Sequence, residues 1–189
     1  MNRVWGVVWG LLCLGACPVA WCETGSTLRT VPALEVQRYL GRWHEIAKFP
    51  NRFQQQCVSD TLAEYTLLAG GQLQVLNQCR VQGGAMQQAL GQARQVGDAQ
   101  SPRFKVRFAP AWLSFLPFVW GDYWVIDLDE RYELAAVSEP SRQYLWVLAR
   151  QPVVDDVRYA ALLARLTALG LDVGKLQKSP QSPVAADRP

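Results

Sequence analysis

Five cysteines and a single histidine are the residues of this 189-residue chain best suited to covalent or metal chemistry, and their positions narrow that chemistry. His44 alone cannot build a multi-histidine metal site, and a serine or cysteine triad would depend entirely on its one imidazole. No two cysteines form a C-x-x-C pair, so neither a thioredoxin-like redox site nor a zinc ribbon is supported. Cys57 and Cys79 are the cysteines of the folded part. Left reduced, Cys79 could act as a thiolate nucleophile; paired, the two form a disulfide. No motif requires a metal or a cofactor.

Export decides between those two fates. After Met1-Asn2-Arg3, residues 4–22 carry no charge, and residues 4–16 make a 13-residue apolar core behind one cation, the layout of a secretory signal. Pro18 and three glycines argue against reading the run as a spanning helix. Leu14-Gly15-Ala16-Cys17 resembles a bacterial lipobox, which predicts a signal peptide over 1–16, acylation of Cys17 and a tether over 17–33. Triacyl anchoring then places the protein at a bacterial outer membrane, the alternative being a periplasmic or secreted form. Cys13 leaves with the signal and Cys22 sits in the tether, and an exported Cys57 and Cys79 are expected to bond.

The elements that must position these residues are strands. From Trp43 to Arg150 the chain reads as short segments of period two, with turn signals about every ten residues. Strands are expected at 42–49, 60–67, 73–81, 86–95, 103–108, 119–128, 132–139 and 143–150. The segment 103–108 alternates aromatic and β-branched residues with cations, one face dry and the other wet. Eight antiparallel strands with short connections predict an all-β up-and-down barrel, whose closure removes exposed edges and leaves room for one small ligand. A hairpin through Gly70-Gly71 sets Thr61, not Cys57, opposite Cys79, so the disulfide needs a bulge or curl early in the second strand. After Arg150 the period becomes helical: Tyr159, Leu162, Leu163, Leu166 and Leu169 form one face, Asp155 caps the start and Gly170 ends it. That helix is expected to pack outside the barrel, and the proline-rich segment 178–189 to be a disordered tail.

Two segments carry a family resemblance. Gly41-Arg42-Trp43 opening the first strand, and Leu145-Trp146-Val147-Leu148-Ala149-Arg150 before the helix, resemble the first and third signatures of the lipocalin family. The resemblance spans roughly 34–177 and leans towards the bacterial outer-membrane lipocalins and apolipoprotein D. It implies an eight-stranded barrel with one C-terminal helix, and binding of small lipophilic molecules. Gly41, Trp43, Asp129 and Arg150 are then fold residues. Trp43 plugs the narrow end with Arg150 laid over its indole, a cation–π contact on the order of 1 kcal/mol. The second signature departs here to Leu128-Asp129-Glu130.

Strand parity turns Glu45, Tyr65, Asn77, Phe104, Phe108 and Trp146 inward, and the apolipoprotein D resemblance assigns Tyr65, Asn77, Phe108 and Trp146 to the pocket. Asn77 must pair internally, with Tyr65, or meet a ligand head group. Glu45 must lie near the wet mouth or be paired. The apolar connection 109–118, with Trp112, Leu113, Phe115 and Phe118, lies at the open end as a lid, a homodimer contact or a wedge into membrane. The leading function is carriage or storage of a fatty acid or lysophospholipid. The alternatives are a lipocalin-fold enzyme using Cys79, and a structural lipoprotein whose barrel is filled by its own side chains. The cations are scattered singly and the net charge is +3, so no nucleic acid is expected as a partner.

Overall fold

The computed structural model describes residues 27–182. The signal segment, Cys13, Cys17, Cys22 and residues past 182 lie outside them. A short helix α1 (Val36–Tyr39) leads into eight antiparallel strands: β1 (Gly41–Lys48), β2 (Cys57–Leu67), β3 (Leu73–Val81), β4 (Met86–Gln95), β5 (Arg103–Arg107), β6 (Gly121–Leu128), β7 (Leu134–Ser138) and β8 (Leu145–Ala149). Each pairs with the next and β1 pairs with both β8 and β2, which closes the barrel. Helix α2 (Asp156–Ala168) follows, its N-terminus capped by the Asp155 carboxylate, which accepts from the amides of Val157 and Arg158. Leu162 and Leu166 bury its apolar face on the outer side of the sheet, against Ala47, Ile126, Leu145 and Val147.

The narrow end is sealed by one arginine. The Arg150 guanidinium donates to the carbonyls of Arg42 (2.8 Å), Arg38 (2.7 Å) and Tyr132 (3.1 Å), and its carbon stands 4.0 Å from the centre of the fully buried Trp43 ring. Only a planar fork of donors can serve three carbonyls and an aromatic face together. The Trp43 indole N–H donates to the Tyr39 carbonyl (2.8 Å), so the plug also holds α1. Gly41 begins β1 at φ 87°, a backbone that L side chains rarely adopt, and the Arg150 guanidinium packs beside it. Asp129, at the departed second signature, caps its turn by accepting from the amides of Glu133 (2.7 Å) and Leu134 (3.2 Å). It also pairs with Arg158 of α2 (2.6 Å).

Cys57 and Cys79 are bonded, with Cα atoms 5.6 Å apart. Register shifts between Cys57 and Leu62 bring Cys57 opposite Val81, where a regular ladder would set Thr61 beside Cys79. Asp60, at φ 53°, takes up the bulge.

Three expectations are corrected. The segment from 178 is not a loose tail as far as it is described. Gln177–Lys178 form a ninth strand, β9, on the edge of β1 that β2 leaves uncovered as it bulges away. Beyond it, Ser179 donates its amide to the Ile46 carbonyl (2.9 Å), Asp60 donates its amide to the Pro180 carbonyl (2.8 Å), and the Ser182 amide donates to the Asp60 carboxylate (2.6 Å). The expected tether does not extend to residue 33: Leu28 is buried in the outer core and the Val31 amide donates to the Val125 carbonyl (3.0 Å). The cation face of β5 is not uniformly wet: Arg107 is buried beneath Trp120, bonded to the Ala109 carbonyl (2.7 Å) and the Gln92 side chain (2.6 Å).

Replacing Trp43 by alanine is expected to cost about 3–5 kcal/mol of stability, the usual loss for a buried aromatic. Denaturant unfolding followed by near-ultraviolet circular dichroism measures it; an unchanged midpoint contradicts the plug.

Candidate functional site

Above the plug the barrel holds a cavity of about 710 Å³, open at the end formed by the β1–β2, β3–β4, β5–β6 and β7–β8 connections and mostly apolar. Five of the six residues expected to face inward line it: Glu45, Tyr65, Asn77, Phe108 and Trp146. Phe104 does not. It is 3% exposed and packs edge-on against Tyr123 (6.2 Å) within the core. Phe108 sits at the rim, and its ring lies so close to Gly91 that a Cβ there would meet it at 2.7 Å. A glycine in the middle of β4 is thus what lets the ring lean on the wall.

Glu45 is 2% exposed yet fully engaged: Lys48 (3.0 Å) neutralises it, and the Gln54 amide (2.5 Å) and Ser179 hydroxyl donate to it. Alternation along β1 would put Lys48 on the opposite face. A register shift between Glu45 and Ala47 reverses the parity, sending Ala47 outward under α2 and Lys48 inward opposite Trp146. Glu45 therefore organises the wall rather than waiting for a ligand. The Trp146 indole donates to Gln54 (2.9 Å) and stacks on Tyr144 (5.8 Å, 10°), which holds the ring in place on the cavity wall.

Asn77 is different. Its amide has no hydrogen-bond partner among the described residues, because Tyr65 is engaged elsewhere. The Tyr65 hydroxyl lies 2.7 Å from that of Tyr123, which lies 2.8 Å from that of Tyr39, making three linked phenols at the cavity floor. Burial makes all three phenols weaker acids: the pKa values of Tyr39 and Tyr123 are pushed well above the ordinary 10, and that of Tyr65 up to about 12. Sequence reasoning found Tyr65 but missed its partners. Tyr39 belongs to α1, where strand parity says nothing, and Tyr123 stands in a strand whose parity a bulge at 125–127 interrupts.

At the rim, Arg52 lines the mouth with its guanidinium 5.0 Å from the Phe53 ring and no carboxylate partner among the described residues. Across from it runs the β5–β6 connection, two short 3₁₀ turns. Trp112, Phe115 and Phe118 are 73, 75 and 80% exposed, while Leu113 is partly buried. A lid resting on the mouth would bury those rings, so the lid arrangement is not the one adopted. Trp120 pins the loop to the wall, its indole donating to the Ser114 carbonyl (2.8 Å) and its ring packed against the guanidinium groups of Arg94 (4.4 Å) and Arg107 (5.2 Å). His44 lies on the outer face beside Gln181 (3.3 Å), and Cys79 is tied up in the disulfide, so neither is placed for nucleophilic chemistry on a bound molecule. No group of three or more potential metal ligands occurs among the described residues.

A barrel plugged at one end and open at the other over an apolar cavity of this size is a container for a small hydrophobic molecule. Comparison with known proteins agrees: the lipocalin-like domain family matches residues 34–181, and the chain belongs to the lipocalin family. It is 40% identical over 158 residues to temperature-induced lipocalin-1 of Arabidopsis thaliana, covering 82% of this chain and 83% of that one. It is 39% identical over 161 residues to outer membrane lipoprotein Blc of Escherichia coli strain K12, covering 83% and 86%. Apolipoprotein D of Mus musculus is 30% identical over 155 residues, covering 78% and 77%. Among solved structures, insecticyanin of Manduca sexta shares the fold with a TM-score of 0.65 at 20% identity, over 85% of this chain and 87% of that one.

The buried phenols generate a pH dependence. Their protons stay on in the folded state above the pH at which an unfolded chain, with phenols near 10, would release them. Stability should hold up to about pH 10 and fall as pH rises towards 12. A tyrosinate absorbance titration should show the Tyr39, Tyr65 and Tyr123 signals missing at pH 11 in folded protein and recovered on unfolding. Full ionisation of all six tyrosines at pH 11 without loss of structure contradicts the buried triad.

Proposed function

We propose that the protein binds, stores or carries one small lipophilic ligand of the fatty acid or lysophospholipid class while held at a bacterial cell envelope. The cavity carries this reading: about 710 Å³ lies within the range of roughly 300–1,000 Å³ typical of small-molecule sites, too much space for a barrel filled by its own side chains. Burying an acyl chain there gains about 25 cal/mol per Å² of apolar area. Arg52 at the rim suits an anionic head group. The name of the Escherichia coli relative, an outer membrane lipoprotein, supports acylation of Cys17 and an outer-membrane location. A soluble periplasmic or secreted form is the alternative. A catalytic reading has less support, given the engaged Cys79 and the outward His44.

Membrane contact also fits the rim. From Cys17 to residue 27 the chain can span up to about 35–40 Å when extended, enough for the open end to reach the bilayer that holds the anchor. Trp112, Phe115 and Phe118 then dip among lipid tails, and ligand passes between bilayer and cavity without crossing water. The same exposed rings could instead meet a second copy of the chain in a homodimer.

Two experiments test the reading. Trp146→Arg should weaken binding of a fluorescent fatty-acid analogue at least tenfold in a protein that remains folded, because it places an unpaired charge on the cavity wall. Unchanged affinity removes the pocket from this position. Replacing Trp112, Leu113 and Phe115 together by serine should slow extraction of lipid from vesicles and leave affinity for detergent-solubilised ligand unchanged. Extraction at the wild-type rate contradicts the wedge, and loss of a dimer in the variant would point to the homodimer instead.

A further inference from the structure

Three phenols joined by two hydrogen bonds leave one proton over. Tyr39, Tyr123 and Tyr65 hold three hydroxyl protons between them, and the links of 2.8 and 2.7 Å each use one. The third proton sits on an end of the chain or on its middle member. Tyr39 is 4% exposed and does not line the cavity, so a spare O–H there would be buried without a partner. Tyr65 and Tyr123 both line the cavity. The proton order that avoids a stranded donor has Tyr39 donating to Tyr123 and leaves the free O–H on Tyr65 or Tyr123, aimed at the ligand space.

Asn77 is a second, independent observation one level above the phenols. Register places it opposite Ala63, two residues above Val75 and Tyr65, about 6.6 Å along the strand. Its amide is unpartnered among the described residues and faces the same space. Ala63, Val75, Ala89, Val106 and Leu148 make the wall between floor and rim mostly apolar, and the carboxylates that also line the cavity, Glu45 and Asp122, are already paired with Lys48 and Lys105.

From this geometry we infer that the site is built for a lipid with polar groups at two places: an anionic or strongly polar head at the rim, and a neutral oxygen acceptor, a ketone, ester carbonyl or hydroxyl, at the floor. The inference rests on the carrier reading and names its ligand class more narrowly. The deep group is neutral because the floor offers neutral donors and no cation lines it among the described residues. The positive residue stands at the other end, where Arg52 marks the rim. A saturated acyl chain would fill the space but leave a phenol O–H and an amide without partners. An oxygenated chain satisfies them.

The test uses octadecanoic acid and a set of its oxo isomers, with the ketone at carbons 5, 9, 12 and 16, each competing against a fluorescent fatty-acid probe on the full mature protein. One distal isomer should bind roughly three- to tenfold tighter than octadecanoic acid, the gain expected of one or two buried hydrogen bonds. In Tyr65→Phe/Tyr123→Phe that preference should shrink to about twofold or less, because the phenol donors are gone and the Asn77 amide alone is left to meet the ketone. The bound ketone's infrared stretch should fall below its position in a hydrocarbon solvent. That reading needs only wild-type protein and stands even if the double variant does not fold. If octadecanoic acid binds and every isomer binds equally or more weakly, with an unshifted stretch, the deep-donor inference is overturned and the carrier reading survives. If neither octadecanoic acid nor any isomer displaces the probe, the carrier reading falls and takes the inference with it.

Discussion

The contact between Arg150 and Trp43 is the constraint from which the rest of this molecule follows. A barrel of eight short strands must begin and end somewhere, and both ends of this chain's sheet meet at the narrow end. There the guanidinium joins the end of β8 to the carbonyls of α1, of β1 and of the β6–β7 turn. A planar cation with five donors can satisfy three carbonyls and still lie flat on an indole. Lysine could not. Gly41 leaves the guanidinium room, and Trp43 occupies the core position that would otherwise let the cavity run through.

Sealing one end makes the other end the only place where strands can diverge, and the protein uses that freedom. β2 bulges away from β1 near Asp60, the disulfide holds β2 to β3 across that irregularity, and β9 fills the vacated edge of β1. Glu45, brought to the interior, is matched by Lys48, Gln54 and Ser179, which come from three different segments. The open end is therefore stitched by polar contacts, whereas the closed end is packed. Between them lies a mostly apolar wall, on which the Asn77 amide stands without a protein partner among the described residues above the phenol floor.

Much of this was legible in the sequence, and the gaps share one cause. Strand positions and barrel closure follow from period-two alternation, and the outer helix with its Asp155 cap from helical spacing, while the Trp43–Arg150 pairing comes through the family resemblance. The signature residues Gly41, Trp43 and Arg150 stand where the family resemblance implies, and Asp129 caps a turn despite the altered motif around it. What alternation could not reveal were the places where it breaks. The shift at 45–47 hid the partner of Glu45, and the bulge at 57–62 hid how Cys57 reaches Cys79. β9 was hidden for a different reason: composition marks a proline-rich segment as loose, and only the edge left open by β2 makes it a strand. Phe104 has the right parity for the cavity but lies too deep, beneath Tyr123, a distinction of depth that parity does not carry.

The central claim is that the plugged barrel holds one lipid molecule. Native mass spectrometry of the mature protein, titrated with octadecanoic acid and stripped of detergent in the gas phase, tests it most directly. The account predicts a single adduct that saturates at one ligand per chain and persists at collision energies that remove surface-bound lipid. A bare polypeptide at every ligand concentration, or adducts that accumulate past one with no plateau, would contradict it.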